Sequence, residues 1–308
     1  MAQNIGSRME SEQPLVSVLM PVYNGEKYLS EAIESILNQS FLDFEFIILN
    51  DGSTDNSLNI INRYKNKDAR IKVVSRENRG VIFTRNELID LAVGDWIAWM
   101  DQDDVSHVDR LKEQLIILKN QAADVCGSHW FIINETGKLI DARLMPLNKH
   151  SFHVYILCAV PFAHGSVMLR ASFIRARQIR YGDYKYAEDC DIWSKLWREQ
   201  AVFTNVNSFL YLYRVTGQSF STVNRKRNVT DSKEIRRALI RKNPSLCVQS
   251  IEQLLTTYSN LSEIERVYII VTSYLLLIIS GKFIIFPVLK ASTKKSIGLA
   301  LLQLIKGV

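Results

Sequence analysis

The sequence predicts an α/β fold: a mostly parallel central sheet flanked by helices, followed by a helical C-terminal region that is both basic and apolar. Three observations predict it. Short apolar runs of strand length alternate with segments whose apolar residues recur at helical spacing. Each early run ends in polar residues, where the carboxyl end of a strand would lie. The hydrophobic content of 47% is that of a packed core rather than a disordered chain.

The first run, Val16-Ser17-Val18-Leu19-Met20-Pro21-Val22-Tyr23, reads as a strand that stops at Asn24-Gly25. Tyr28, Leu29, Ala32, Ile33, Ile36 and Leu37 then mark one face of a helix. A second strand, Phe44 to Leu49, runs into Asn50-Asp51-Gly52-Ser53-Thr54-Asp55, with a helical pattern from near Asn56. A helix from near Gly80 carries Arg85 and Asn86. A third strand-like run, Trp96 to Met100, meets Asp101-Gln102-Asp103-Asp104 almost without a turn, and a helix is expected from near Ser106. Strand, loop and helix in alternation describe βαβ units. Ligands bind beyond the carboxyl ends of such strands. Val22-Tyr23-Asn24, Asp51 and Asp101 all fall at that position.

Three carboxylates at a strand end repel one another unless a cation neutralises them. Hard oxygen ligands suit magnesium or manganese, which keep waters and bind substrate phosphates. The cluster therefore points to a metal-bridged phosphate site; a solvated acidic loop capping the next helix is the plainer alternative. The Asp51 carboxylate is suited to accept from a base imide N–H or a ribose hydroxyl, unless Asp-Gly-Ser is only a turn. No Gly-x-Gly-x-x-Gly follows the first strand, which argues against a dinucleotide dehydrogenase. No Gly-x-x-x-x-Gly-Lys-Ser/Thr is present, which argues against a P-loop enzyme.

These blocks, together with Ser35-Ile36-Leu37-Asn38-Gln39-Ser40, Asn78-Arg79-Gly80, Arg85-Asn86, Gly94-Asp95-Trp96 and Ala187-Glu188-Asp189-Cys190-Asp191-Ile192-Trp193, resemble glycosyltransferase family 2 in order and kind. The resemblance covers residues 14 to 215 and implies the GT-A, Rossmann-like fold. It also implies inverting transfer of a sugar from a nucleotide diphosphate sugar, with uridine diphosphate as the expected carrier. The expected acceptor is a saccharide or lipid-linked hydroxyl. Nucleotide contacts fall on Pro21, Val22, Tyr23, Asn24, Asp51, Arg85, Asp101, Gln102 and Arg214. Asp103 is the expected direct ligand of Mn2+ or Mg2+, with Asp101 on the metal, its water or the ribose. Asp189 is the expected base, with Glu188 orienting it or the acceptor. The first turn of a helix favours such carboxylates in any case. His164 and Asp104 are placed at the donor or acceptor sugar; the alternatives are a packed histidine and a helix cap. Trp193 and Trp197 recur at helical spacing and read as core rather than as a sugar platform. Two departures stand out: Asn50 replaces a common Asp, and Val215-Thr216-Gly217-Gln218-Ser219 lacks the family's frequent His.

The competing classes are a nucleotidyltransferase, whose Gly-rich first loop is missing, and a non-catalytic nucleotide-sugar-binding protein, which has no need of Glu188-Asp189.

The chain has 308 residues and a formal net charge of +6. Residues 1–224 carry 24 Lys/Arg against 27 Asp/Glu; residues 225–308 carry 14 against 5. The expected division is a flexible start (1–13), a catalytic domain (14–224, its nucleotide half ending at 104) and a helical region (225–308). Arg225-Lys226-Arg227, Arg236, Arg237, Arg241 and Lys242 make the last region basic, but no interleaved aromatics suggest nucleic acid. Val267 to Ile279 and Phe283 to Leu289 are apolar, and neither reaches the ~20 residues that span a bilayer. An interfacial or re-entrant attachment, peripheral to the membrane with Lys290, Lys294 and Lys295 near anionic head groups, is expected; a buried helical hairpin or a dimer contact is the alternative. Four cysteines without a C-x-x-C pair, and a polar start without a signal-peptide core, point to the cytoplasmic side of the membrane.

Overall fold

The computed structural model describes residues 13–250 apart from 148, 183, 218 and 248. Its first half alternates strictly: β1 (Val16–Val22), α1 (Leu29–Leu37), β2 (Phe44–Asp51), α2 (Ser57–Lys65), β3 (Ile71–Arg76), α3 (Val81–Leu91) and β4 (Trp96–Trp99). The second half holds β5 (Val105–Ser106), α4 (Arg110–Asn120), β6 (Val125–Ile133), β7 (Leu139–Arg143), α5 (Lys149–Cys158), a 3-10 turn at His164–Ser166 and β8 (Met168–Arg170). It ends in α6 (Ala171–Ala176), α7 (Glu188–Arg198), β9 (Phe203–Arg214), α8 (Phe220–Val223) and α9 (Arg225–Lys242).

All these strands form one sheet, in the order β3-β2-β1-β4-β8-β6-β9-β5, with β7 paired to β6. The first four are parallel. β8 turns the direction by pairing antiparallel to β4. Every residue of β2 is buried, as expected of a parallel strand covered on both faces. Alternate side chains serve two cores. Leu19, Ile47, Ile97 and Trp99 face one; Val18, Met20, Phe46 and Ile48 face the other. The helices close these cores with apolar stripes, as in α1, where Leu29, Ala32, Ile33 and Ile36 are buried.

Register then positions the site. Val16 pairs with Phe44 on one side and Trp96 on the other, so β1, β2 and β4 end at one rim of the sheet. The helix expected from Ser106 begins at Arg110, because Val105 and Ser106 pair with Leu212 and Tyr211 of β9. Trp193 and Trp197 are core, as expected.

α9 packs on α5 and α7, and Ile235, Leu239 and Ile240 are buried. The apolar segments after Val267 and the start of the chain, residues 1–12, lie outside the described residues. Among the described residues, no helix is long and apolar enough to cross a membrane.

Candidate active site

Side chains lash the three strand ends together. The Gln102 amide spans both backbone groups of Tyr23: the Tyr23 N–H donates to Oε1 at 2.9 Å, and Nε2 donates to the Tyr23 carbonyl at 3.1 Å. Asn24, at φ 49°, donates its N–H to Ser53 Oγ at 3.0 Å and accepts the Thr54 N–H on Oδ1 at 2.8 Å. These bonds leave the Tyr23 ring 49% exposed at the rim. Val22 is buried, so it offers a ligand only backbone; Pro21 is half-buried.

Asp51 lies beneath this rim. Its Oδ1 accepts the Arg79 N–H at 2.8 Å and an ion pair from Arg76, and its Oδ2 accepts the Gly80 N–H at 3.0 Å. The carboxylate thus holds the Asn78-Arg79-Gly80 turn, with one acceptor direction left on Oδ2. Gly52, at φ 69°, is required here: a Cβ would stand 2.5 Å from the Asn78 nitrogen.

The acidic cluster divides into three roles. Asp104 is 1% exposed and accepts the Arg214 N–H on Oδ1 at 2.7 Å. It does not cap α4, whose N-cap is Asp109. Arg214 secures the same loop through its side chain as well. Its guanidinium is buried and bonded to Glu31 at 2.6 Å, to the Asp103 carbonyl at 2.8 Å and to the Asn134 carbonyl at 3.4 Å. It clamps the acidic loop against α1. Asp101 and Asp103 remain at the rim, both partly exposed. Burial, with the Asp101 charge beside it, pushes the Asp103 carboxyl up to about 6.

Arg85 joins this cluster to a second one. It is 5% exposed, with Nη2 at 3.3 Å from Asp101 Oδ1 and 3.9 Å from Glu188 Oε1. It therefore sits between the two carboxylates. His164 supports it: Nδ1 lies 2.7 Å from Arg85 Nη1, and Nε2 lies 2.7 Å from the Tyr181 hydroxyl. Burial and the Arg85 charge hold His164 well below the ordinary histidine range, so the ring is neutral. Packed among Trp99, Tyr181 and Trp193, it braces Arg85 from within. Asn86 is likewise occupied, donating to and accepting from the Tyr181 backbone at 3.0 and 2.9 Å.

Glu188 and Asp189 open α7, whose N-terminal dipole favours carboxylates. Burial nevertheless pushes Glu188 up to about 7, with Arg85 opposing and Asp189 reinforcing the shift. Burial also raises Asp189; the Cys190 N–H, Arg236 and Arg85 counter it. Asp191 turns away to Lys195 at 2.6 Å and the Gly182 N–H at 2.9 Å.

Among the described residues, no three His, Cys, Asp or Glu side chains converge to cage a metal. The Asp101 and Asp103 pair still suits a cation of the magnesium type, which takes one or two carboxylates and completes its shell with phosphate and water. A desolvated carboxyl crowded by a second one gains from such a charge. Arg76, Tyr181 and Glu31 went unnoticed in the sequence, where no motif marks them.

Fold and site together define a glycosyltransferase of the GT-A class. Residues 17–176 match the family model described as glycosyl transferase family 2, and the chain belongs to that family. It is 34% identical over 214 residues to EpsE of Bacillus subtilis, which bears the name of a glycosyltransferase; the match covers 67% of this chain and 75% of EpsE. Its fold is similar to that of S. aureus TarS residues 1–349 in complex with UDP-GlcNAc, at TM-score 0.54 and 20% identity, covering 85% and 80% of the two chains. It is also similar to the mannosyltransferase PcManGT of Pyrobaculum calidifontis in complex with GDP-Man and Mn2+, at TM-score 0.54 and 13% identity, covering 88% and 87%.

Proposed function

We propose that this glycosyltransferase moves a sugar from a uridine diphosphate sugar to a hydroxyl of a saccharide or lipid-linked acceptor, inverting the anomeric carbon with help from Mg2+ or Mn2+. One observation carries the reading: Arg85 links a donor-side carboxylate, Asp101, to an acceptor-side carboxylate, Glu188, across a single guanidinium. A protein that only bound nucleotide sugars has no use for the second cluster.

In this reading the Tyr23 ring faces the base and the open Oδ2 direction of Asp51 takes the imide N–H. Asp101 serves the ribose or a metal-bound water, and Asp103 is the first ligand of the cation. When bound there, a divalent ion supplies positive charge against the negative charge that grows on the leaving diphosphate. Asp189 accepts the acceptor hydroxyl's proton as that oxygen attacks the face opposite the leaving group. Glu188, tethered near Arg85, orients the acceptor. The UDP-GlcNAc complex of TarS and the GDP-Man and Mn2+ complex of PcManGT support a nucleotide-sugar donor and a divalent ion. The basic and apolar sequence after residue 225 supports peripheral contact with the inner face of the membrane.

A thermal-shift screen of nucleoside diphosphates with and without manganese tests the donor side, because a ligand of the folded state raises its stability. Uridine diphosphate with manganese is expected to give the largest shift, and UDP-sugars to turn over. Binding without any transfer across a panel of donors and acceptors sinks the catalytic reading.

A further inference from the structure

The basic segment after Asn224 is not simply a solvated face. In α9, Ser232, Ile235, Leu239 and Ile240 are buried. Arg236 follows Ile235 and stands four residues after Ser232, which places it on the same inward stripe. The positions on either side of it in space are known. Ile235 packs with Ala187 and Cys190 at the start of α7. Cys190 Sγ donates to the Ser232 carbonyl at 3.9 Å. Below them, Arg227 Nη1 reaches the Tyr186 hydroxyl at 2.7 Å, and Asn228 Nδ2 donates to the Tyr186 carbonyl. The inner face of α9 thus lies over the α7 N-terminus, where Glu188 and Asp189 sit.

Arg236 Nε is buried and has no hydrogen-bond partner among the described residues. A guanidinium half-withdrawn from water is costly unless negative charge lies near it. Its charge acts on Asp189, next to Cys190 in the patch that Ile235 covers, and no ion pair joins the two among the described residues. The carboxylate is therefore attracted without a salt bridge; the Cys190 N–H donates to its Oδ1 at 2.7 Å, which leaves Oδ2 for a substrate.

We propose that α9 is part of the active site and that Arg236 is a positioning residue, holding the Asp189 carboxylate for the proton transfer assigned to it above. The proposal rests on the reading of Asp189 as the base. Like Glu188 and Asp189, Arg236 lies beyond the family match, which ends at residue 176. The other groups that face Asp189 are Glu188 and Cys190 on α7, Arg85 on α3 and Tyr181 before α7. Of these, Arg85 and Arg236 are the cations. Arg85 is already shared with Asp101 and Glu188, which leaves Arg236 as the charge devoted to Asp189.

The test is the pH profile of kcat for transfer in full-length Arg236→Gln and Arg236→Lys, with uridine diphosphate affinity measured alongside. Loss of the cation leaves Asp189 harder to ionise, so the acid limb of the Gln variant moves to higher pH by about one unit. Its kcat falls, its nucleotide affinity holds, and Lys restores most of both limb and rate. A Gln variant with an unmoved acid limb overturns the proposal, whether or not its rate falls. If the Gln variant does not fold, the Lys variant decides: near-normal kcat supports the proposal, and lost kcat with an unmoved limb overturns it. Asp189→Asn run in parallel separates the two ideas, since a fully active Asn variant defeats the base assignment itself.

Discussion

Arg85 Nη2 lies 3.3 Å from Asp101 Oδ1, and that contact connects two regions 16 residues apart in sequence at the floor of the site. Behind it stands a neutral His164, so the guanidinium is presented forward to the carboxylates and not to the core. Arg85→Met leaves Asp101 and Glu188 facing each other without a cation. Breaking a buried pair this way costs about 3 kcal/mol, and urea denaturation measures it. Arg85→Lys keeps the charge but loses the fork, so it is expected to retain the fold and lose turnover.

Asp103→Asn is expected to abolish the manganese dependence of uridine diphosphate binding and lower kcat by about 100-fold or more. Titration calorimetry with and without the metal reads the first effect. Unchanged metal dependence overturns the ligand assignment.

Asp189→Asn is expected to bind uridine diphosphate normally and lose turnover by at least about 100-fold. Single-turnover kinetics separate the two quantities. Parallel loss of binding and rate in a folded variant marks Asp189 as structural instead.

Glu188 supplies a pH signature in stability. Folded, its carboxyl holds a proton up to about 7; the ordinary value is 4.5. Between these values the folded state binds more protons, so Glu188 makes stability fall as pH rises through the window. The loss is absent below the window and complete above it, and its ceiling is about 3 kcal/mol. Glu188→Gln removes the effect. Urea melts of both proteins at pH 5 and pH 8 are expected to converge at the lower pH and diverge at the higher, with the variant the more stable.

Gly165→Ala probes the closest approach in the site. A Cβ there stands 2.0 Å from the Tyr211 hydroxyl and 2.8 Å from the Asp101 nitrogen. Tyr211 is fully buried and has no room to retreat, so Asp101 must shift. The expected result is about 1–3 kcal/mol of lost stability, read by thermal melting, together with weakened nucleotide binding.

Much of this site was legible in residue order. Apolar runs of strand length placed Tyr23, Asp51 and Asp101 at carboxyl ends, and the parallel register of β1 with β2 and β4 brings those ends to one rim. Longer-range partners were not legible. β9 mixes Asn205, Asn207 and Ser208 into its apolar residues, so its strand pattern is weak, and nothing local ties Arg214 at its end to the acidic loop. Only pairing with β6 and β5 brings that arginine under the acidic loop.

By itself the sequence determined the strand-and-helix alternation, the family and the carboxylates at the strand ends, because each of these is written in local spacing and residue type. The tertiary structure alone decided which charges are spent inside the protein. Arg214 is consumed by Glu31 and the acidic loop, Arg85 by Asp101 and Glu188, and Arg236 is turned inward by α9. The reason is physical: a guanidinium's partner is set by strand order and helix docking across scores of residues, and a charge looks the same in sequence whether it ends beside water or beside an acid.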